Sequence, residues 1–133
     1  MAGIDYAKQL KSSTILIVDD TEFNQIIIKK MIENQGFRSI HLAENGRVAL
    51  DVAKEVLPDL IILDLMMPEM DGIEFCQVAR KEGHLKDVPI LIQTALTDGD
   101  YKAAAFDAGA SDFINKPIDS RELVARLKVH LNN

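Results

Sequence analysis

The sequence predicts a doubly wound α/β domain, a parallel sheet covered by helices on both faces. Two observations predict it. From Thr14 onward, short β-branched apolar runs alternate with helical patterns five times in succession. Runs one, three and four, Ile15 to Val18, Leu60 to Leu63 and Ile90 to Ile92, are apolar at successive positions, as strands buried on both sides require. Repeated strand–helix units close by right-handed crossovers, which puts helices on both faces of the sheet. The 133 residues, 47% hydrophobic and 27% charged, suffice for one such domain with its own core.

Residues 1–13 carry no clear period and read as a polar lead-in with room for a lone helical turn; the domain proper is placed at 14–131. The strand Ile15 to Val18 feeds a first helix, which Gly36 ends as a left-handed cap. After the strand Ser39 to Ala43, the residues Val48, Ala49, Val52, Ala53 and Val56 form a stripe on one helix face at i, i+4 and i+8. Leu60 to Leu63 is the third strand. Its helix carries Cys76 with Ile73 and Ala79, so Cys76 reads as a small core residue, and Gly83 is expected to cap that helix. Ile90 to Ile92 precedes the alanine-rich segment Tyr101 to Ala108, expected to be the shortest helix. Asp112 to Ile114 is the fifth strand. The last helix bears Leu123, Val124, Leu127 and Leu131, and Asp119 with Glu122 three residues on marks its start as a capping box.

Fifteen Lys and Arg against twenty-one Asp and Glu give a net charge of −6, which argues against a generic nucleic-acid or anionic-membrane surface. No apolar run approaches the ~20 residues of a membrane helix. Cys76 is the single cysteine, and the N-terminus lacks the apolar core of a signal peptide, so a soluble cytoplasmic protein is expected. His41, His84 and His130 are scattered without metal-ligand spacing.

In an open parallel sheet, ligands bind beyond the carboxyl ends of the strands. Strand one runs straight into Asp19 and Asp20, strand three into Asp64, strand four ends at Thr94, and strand five leads into Lys116 and Pro117. In the flavodoxin-like strand order 2-1-3-4-5, strands one and three are neighbours and the three aspartates converge. Such a cluster repels itself, because like charges oppose joint ionisation. Three carboxylates and one lysine leave a net −2, which one divalent cation neutralises. Mg2+ fits, since it takes one or two carboxylates and accepts phosphate oxygens as further ligands, and Mn2+ could substitute. Lys116 supplies a point charge suited to phosphate and Thr94 a hydroxyl. Asp64, alone at the end of the central strand, is placed to act as a nucleophile.

The pieces Val18-Asp19-Asp20, Asp64-Leu65-Met66-Met67-Pro68-Glu69-Met70-Asp71-Gly72, Thr94-Ala95 and Lys116-Pro117 stand in an order that resembles the receiver domain of two-component response regulators, from Thr14 to about Leu131. The resemblance implies that Asp64 is the phosphoacceptor, that Asp19, Asp20 and Asp64 hold the metal, and that the backbone carbonyl of Met66 completes its protein ligands. It also implies that Thr94 turns its hydroxyl toward the phosphoryl group, that Lys116 pairs with that group, and that Phe113 is an aromatic switch moving with Thr94. Pro117 is expected to follow a cis peptide. The implied function is Mg-dependent transfer from the phosphohistidine of a sensor histidine kinase, or of a histidine phosphotransfer protein, onto Asp64. The resulting switch controls a downstream partner or an attached output domain.

By this reading the chain is a signalling phosphoacceptor rather than an enzyme, without direct contact to nucleic acid or membrane. No output module follows Leu131, so the chain is read either as a single-domain regulator or as a receiver cut from a longer protein. A homodimer through strand five and the last two helices is carried over on Asp112, Glu122 and Arg126, which stand at positions resembling a salt-bridge set. The alternative is a phosphatase or phosphotransferase using an aspartyl intermediate. A haloacid-dehalogenase-like phosphatase needs an aspartate two residues after its nucleophile, where Asp19 and Asp64 are followed by Thr21 and Met66. A flavin or nucleotide carrier is disfavoured because no glycine-rich phosphate loop follows strand one. Met66 and Met67 are expected to fill the rim of the site. Met66 and Leu96 are apolar at positions where many receivers carry polar groups, so neither can orient an attacking water and the phosphorylated form is expected to be long-lived.

Overall fold

The computed structural model describes residues 6–95 and 99–131, so Leu96 lies outside the described residues. Among these, five parallel strands, β1 (Thr14–Val18), β2 (Ser39–Ala43), β3 (Leu60–Asp64), β4 (Ile90–Thr94) and β5 (Asp112–Asn115), lie in the order β2-β1-β3-β4-β5. The helices are α1 (Tyr6–Ser12), α2 (Glu22–Glu33), α3 (Gly46–Val56), α4 (Gly72–Ala79), α5 (Gly99–Ala108) and α6 (Ser120–Leu131). Both the fold class and the strand order are as predicted.

Strand side chains alternate between the two faces, and the core divides accordingly. Leu16, Val18, Ile61, Leu63, Ile90, Ile92 and Phe113 meet the apolar faces of α3, α4 and α5. Ile15, Ile17, Leu60, Ile62, Leu91 and Ile114 meet α1, α2 and α6. The central strands β3 and β4 are buried at every position, whereas β2 at one edge is half-buried along most of its length. This alternation places the site. Continued past the apolar runs, it turns Asp19, Asp64 and Gln93 toward the α2 and α6 face, and Thr94 toward the α4 and α5 face.

Several local expectations are corrected. The lead-in holds a seven-residue helix, α1, longer than a lone turn, because Leu10 buries against the α2 and α6 face and Gln9 Nε2 donates to the Leu131 carbonyl at 3.2 Å. Gly83 does not cap α4. That helix ends at Arg80 in ordinary helical conformation, and Gly83 opens a separate 3-10 turn, Gly83–Leu85. Nor is α5 the shortest helix: it runs ten residues against eight for α4, and Gly109 at φ +120° follows it as a left-handed residue. Gly36, at φ +107°, does end α2 as expected. Asp119 Oδ1 accepts from the amides of Arg121 and Glu122 at 2.8 and 3.4 Å, but the Glu122 carboxylate turns to Arg126 at 3.2 Å, so only the aspartate half of the capping box is bonded as drawn.

Candidate functional site

Val18 of β1 is level with Leu63 of β3, so the next residues, Asp19 and Asp64, emerge side by side at the carboxyl end of the sheet. Asp20 joins them from the loop before α2, and the three carboxylates offer oxygens within 4.8 Å of one another. Asp19 and Asp64 are buried and Asp20 is exposed. Lys116 Nζ stands 3.2 Å from Asp64 Oδ2, and the Lys116–Pro117 peptide is cis.

The environment of Asp19 is the most constrained. Burial pushes its carboxyl above the ordinary carboxylate value, an effect opposed by the Thr21 amide and by Lys116 and reinforced by Asp64 and Asp20. The Thr21 amide donates to Asp19 Oδ1 at 2.9 Å. Three hard oxygen donors facing one ammonium leave a net −2 in a small volume, a donor set that suits a hard divalent cation. Met66 sits two residues past Asp64, donates its amide to Asp64 Oδ1 at 3.3 Å, and points an exposed side chain outward. Met67, expected on the rim, is instead buried in the α3–α5 core. The rim is therefore lined by Met66 alone of this pair.

The family model described as the response regulator receiver domain matches residues 15–128. The chain belongs to this family. It is 39% identical over 117 residues to the response regulator MprA of Mycolicibacterium vanbaalenii, covering 88% of this chain and 49% of that protein. It is 38% identical to the transcriptional regulatory protein YvrH of Bacillus subtilis, covering 92% of this chain and 50% of the other. The chain thus spans about half the length of these curated relatives. Among solved structures, it is similar to the chemotaxis protein CheY4 of Vibrio cholerae, with a TM-score of 0.83 at 30% identity over 88% of this chain and 97% of that one. It is equally similar, at TM-score 0.83 and 33% identity over 91% of each chain, to the signal receiver domain of a signal transduction histidine kinase of Syntrophus aciditrophicus.

In this receiver domain Thr94 is 1% exposed at the end of β4. Phe113 lies on the same face, level with Ile92 of the neighbouring strand. Its buried ring meets Phe106 of α5 edge to face, with centroids 4.8 Å apart, and Lys102 Nζ lies 5.7 Å from its centroid. Asp112, Glu122 and Arg126 pair within one chain: Arg126 Nη1 holds both Asp112 oxygens at 2.9 and 2.8 Å, and His130 Nε2 lies 3.0 Å from Asp112 Oδ2. Burial alone would raise the Asp112 carboxyl, but His130, the Phe113 amide and Arg126 together lower it.

Three polar side chains of structural weight escaped the sequence reading. Gln93 donates to Asp19 Oδ2 at 2.9 Å, and Gln25 donates to the main-chain carbonyls of Asp19 and Ala43 at 2.7 and 3.2 Å. Arg80 ties the end of α4 to the carbonyls of Gly109, Leu85 and Val88, each at 2.7 Å. A glutamine inside the apolar run of β4 was the one available signal, since a buried amide without a partner is costly. Cys76 is fully buried and its thiol is pushed up to about 11, in keeping with a core role.

Proposed function

We propose that this receiver accepts a phosphoryl group on Asp64 from the phosphohistidine of a sensor histidine kinase or histidine phosphotransfer protein, in a magnesium-dependent reaction that switches its conformation. The observation that carries the reading is the gathering of Asp19, Asp20 and Asp64 within 4.8 Å, with Lys116 3.2 Å from Asp64. An Asp64 oxygen forms a bond to phosphorus while the phosphorus–nitrogen bond breaks in line, and the electron pair leaves on the imidazole nitrogen. Lys116 neutralises charge on the transferring group. Asp19, Asp20, Asp64 and the Met66 carbonyl would hold Mg2+, which supplies further charge neutralisation at the phosphoryl oxygens. The acyl phosphate carries more charge and more acceptor oxygens than the carboxylate it replaces, and these capture Thr94 and Lys116. Thr94 shares a face with Phe113, so its movement is felt by the Phe113–Phe106 contact and by the surface of α5, β5 and α6.

The kinase partner approaches over α2, which begins three residues after Asp19 and exposes Phe23, Ile26 and Ile27. On this reading the protein works in the cytoplasm as a signalling phosphoacceptor, and its downstream partner or output domain is engaged by the α5, β5 and α6 surface. A homodimer through that surface would have to recruit Asp112, Glu122 and Arg126 out of the pairs they make within one chain. The exposed Met66 side chain offers no group to orient water, so the phosphorylated form is expected to persist; loss of phosphate within seconds in the presence of magnesium would count against that expectation.

The test is incubation with acetyl phosphate and magnesium, read by intact mass. Wild type gains one phosphoryl group and Asp64→Asn gains none. Lys116→Ala is expected to be modified without the conformational response that beryllofluoride elicits in wild type. An unmodified wild type beside a labelled control receiver overturns the proposal.

A further inference from the structure

We infer that Gln93 is a positioning residue for the metal site, holding the Asp19 carboxylate in the orientation that a divalent cation meets. The inference rests on the metal-dependent reading above. It begins from the β3–β4 ladder, in which Gln93 is level with Asp64, so both side chains leave the sheet on the same face. Gln93 is 1% exposed, and its Nε2 donates to Asp19 Oδ2 at 2.9 Å. The other oxygen, Oδ1, accepts from the Thr21 amide at 2.9 Å, and the Asp19 main-chain carbonyl accepts from Gln25 Nε2 at 2.7 Å. Every oxygen of Asp19 is thus pinned by a fixed donor, and each carboxylate oxygen keeps a lone pair for a cation.

The residue type suits this work. Left alone, a buried carboxylate beside Asp64 and Asp20 would turn away from them, because like charges repel. A neutral amide fixes the direction of the carboxylate without bringing a positive charge that would compete with the incoming cation, as a lysine or arginine at position 93 would. An apolar residue, which the surrounding run Ile90 to Ile92 would accommodate, offers no donor at all. Groups that orient a ligand in this way commonly change metal affinity by about 10- to 100-fold when removed.

The experiment titrates magnesium chloride into wild type, Gln93→Met and Gln93→Leu by calorimetry. The magnesium Kd is expected to rise about tenfold in both variants. The magnesium concentration for half-maximal labelling by acetyl phosphate should rise by the same factor. If the amide had a purely structural role, its loss would lower the melting temperature in EDTA and leave both magnesium constants within twofold of wild type, and that result overturns the inference. In wild-type protein, needing no substitution, the Gln93 side-chain amide resonances should shift over the same magnesium range; resonances that stay still overturn it as well. Failure of wild type to take up magnesium removes the metal reading and this inference with it, whereas unchanged uptake in folded variants removes the inference alone.

Discussion

Asp19 shows how one buried carboxyl links stability to pH. Its burial, with Asp64 and Asp20 close by, holds the carboxyl above its ordinary value. The folded metal-free chain therefore binds that proton more tightly than the unfolded chain does. It follows that stability is lost as pH rises from about 4, the ordinary carboxylate value, through the raised one. Asp19→Asn removes the charge, so at pH 7 in EDTA the variant is expected to melt above wild type. The same variant should gain nothing from added magnesium, and thermal melts with and without the ion check both halves. Asp19 and its two acidic neighbours were legible because each stands at or just past the end of an apolar run. Gln93 was not, because its partner follows another strand and only the registers of β1 with β3 and of β3 with β4 bring the two together.

At the level of elements, the ends of helices are where sequence signals and structure part. Gly36 and Asn45 behave as cap residues should, with Asn45 accepting from the Val48 amide at 2.9 Å. Leu57 does not. It closes α3 in the left-handed region at φ +50° with its side chain 59% exposed, a conformation that costs a non-glycine residue about 1 kcal/mol. Leu57→Gly is expected to raise the unfolding free energy by up to about 1 kcal/mol in urea titrations, since little packing is lost. At the end of α5, Gly109 is needed twice over: φ is +120°, and a Cβ there would stand 2.6 Å from Arg80 Cγ. No local pattern marks that place, because the obstacle is the side chain of Arg80, just past the end of α4.

The whole molecule carries a net −6, and among the described residues a cluster of three carboxylates sits at the carboxyl end of the sheet. A cation that binds only the folded state stabilises it by mass action, by about 2.7 kcal/mol at a hundredfold excess over Kd. Saturating magnesium is therefore expected to raise the melting temperature by about 10 °C, reversibly on adding EDTA. A melting temperature indifferent to magnesium would show that the cluster does not hold the ion. No helix among the described residues is long and apolar enough to cross a membrane. The two buried apolar clusters lie one on each side of the sheet.

Fold class and the four charged residues of the cluster were readable from the chain alone, whereas the strand order entered as the flavodoxin-like arrangement that the structure bears out. Strands buried on both faces leave unbroken apolar runs, and a parallel sheet brings all their carboxyl ends to one edge, so the residue after each run announces itself. The contacts around the cluster and around Phe113 came from packing: Gln93 on Asp19, Phe106 on Phe113, and Arg80 on the turn after α5. Each joins elements distant along the chain or depends on which way a side chain leaves its strand or helix. Such meetings follow from the register of neighbouring strands and the seating of helices on the sheet, neither of which a one-dimensional pattern encodes.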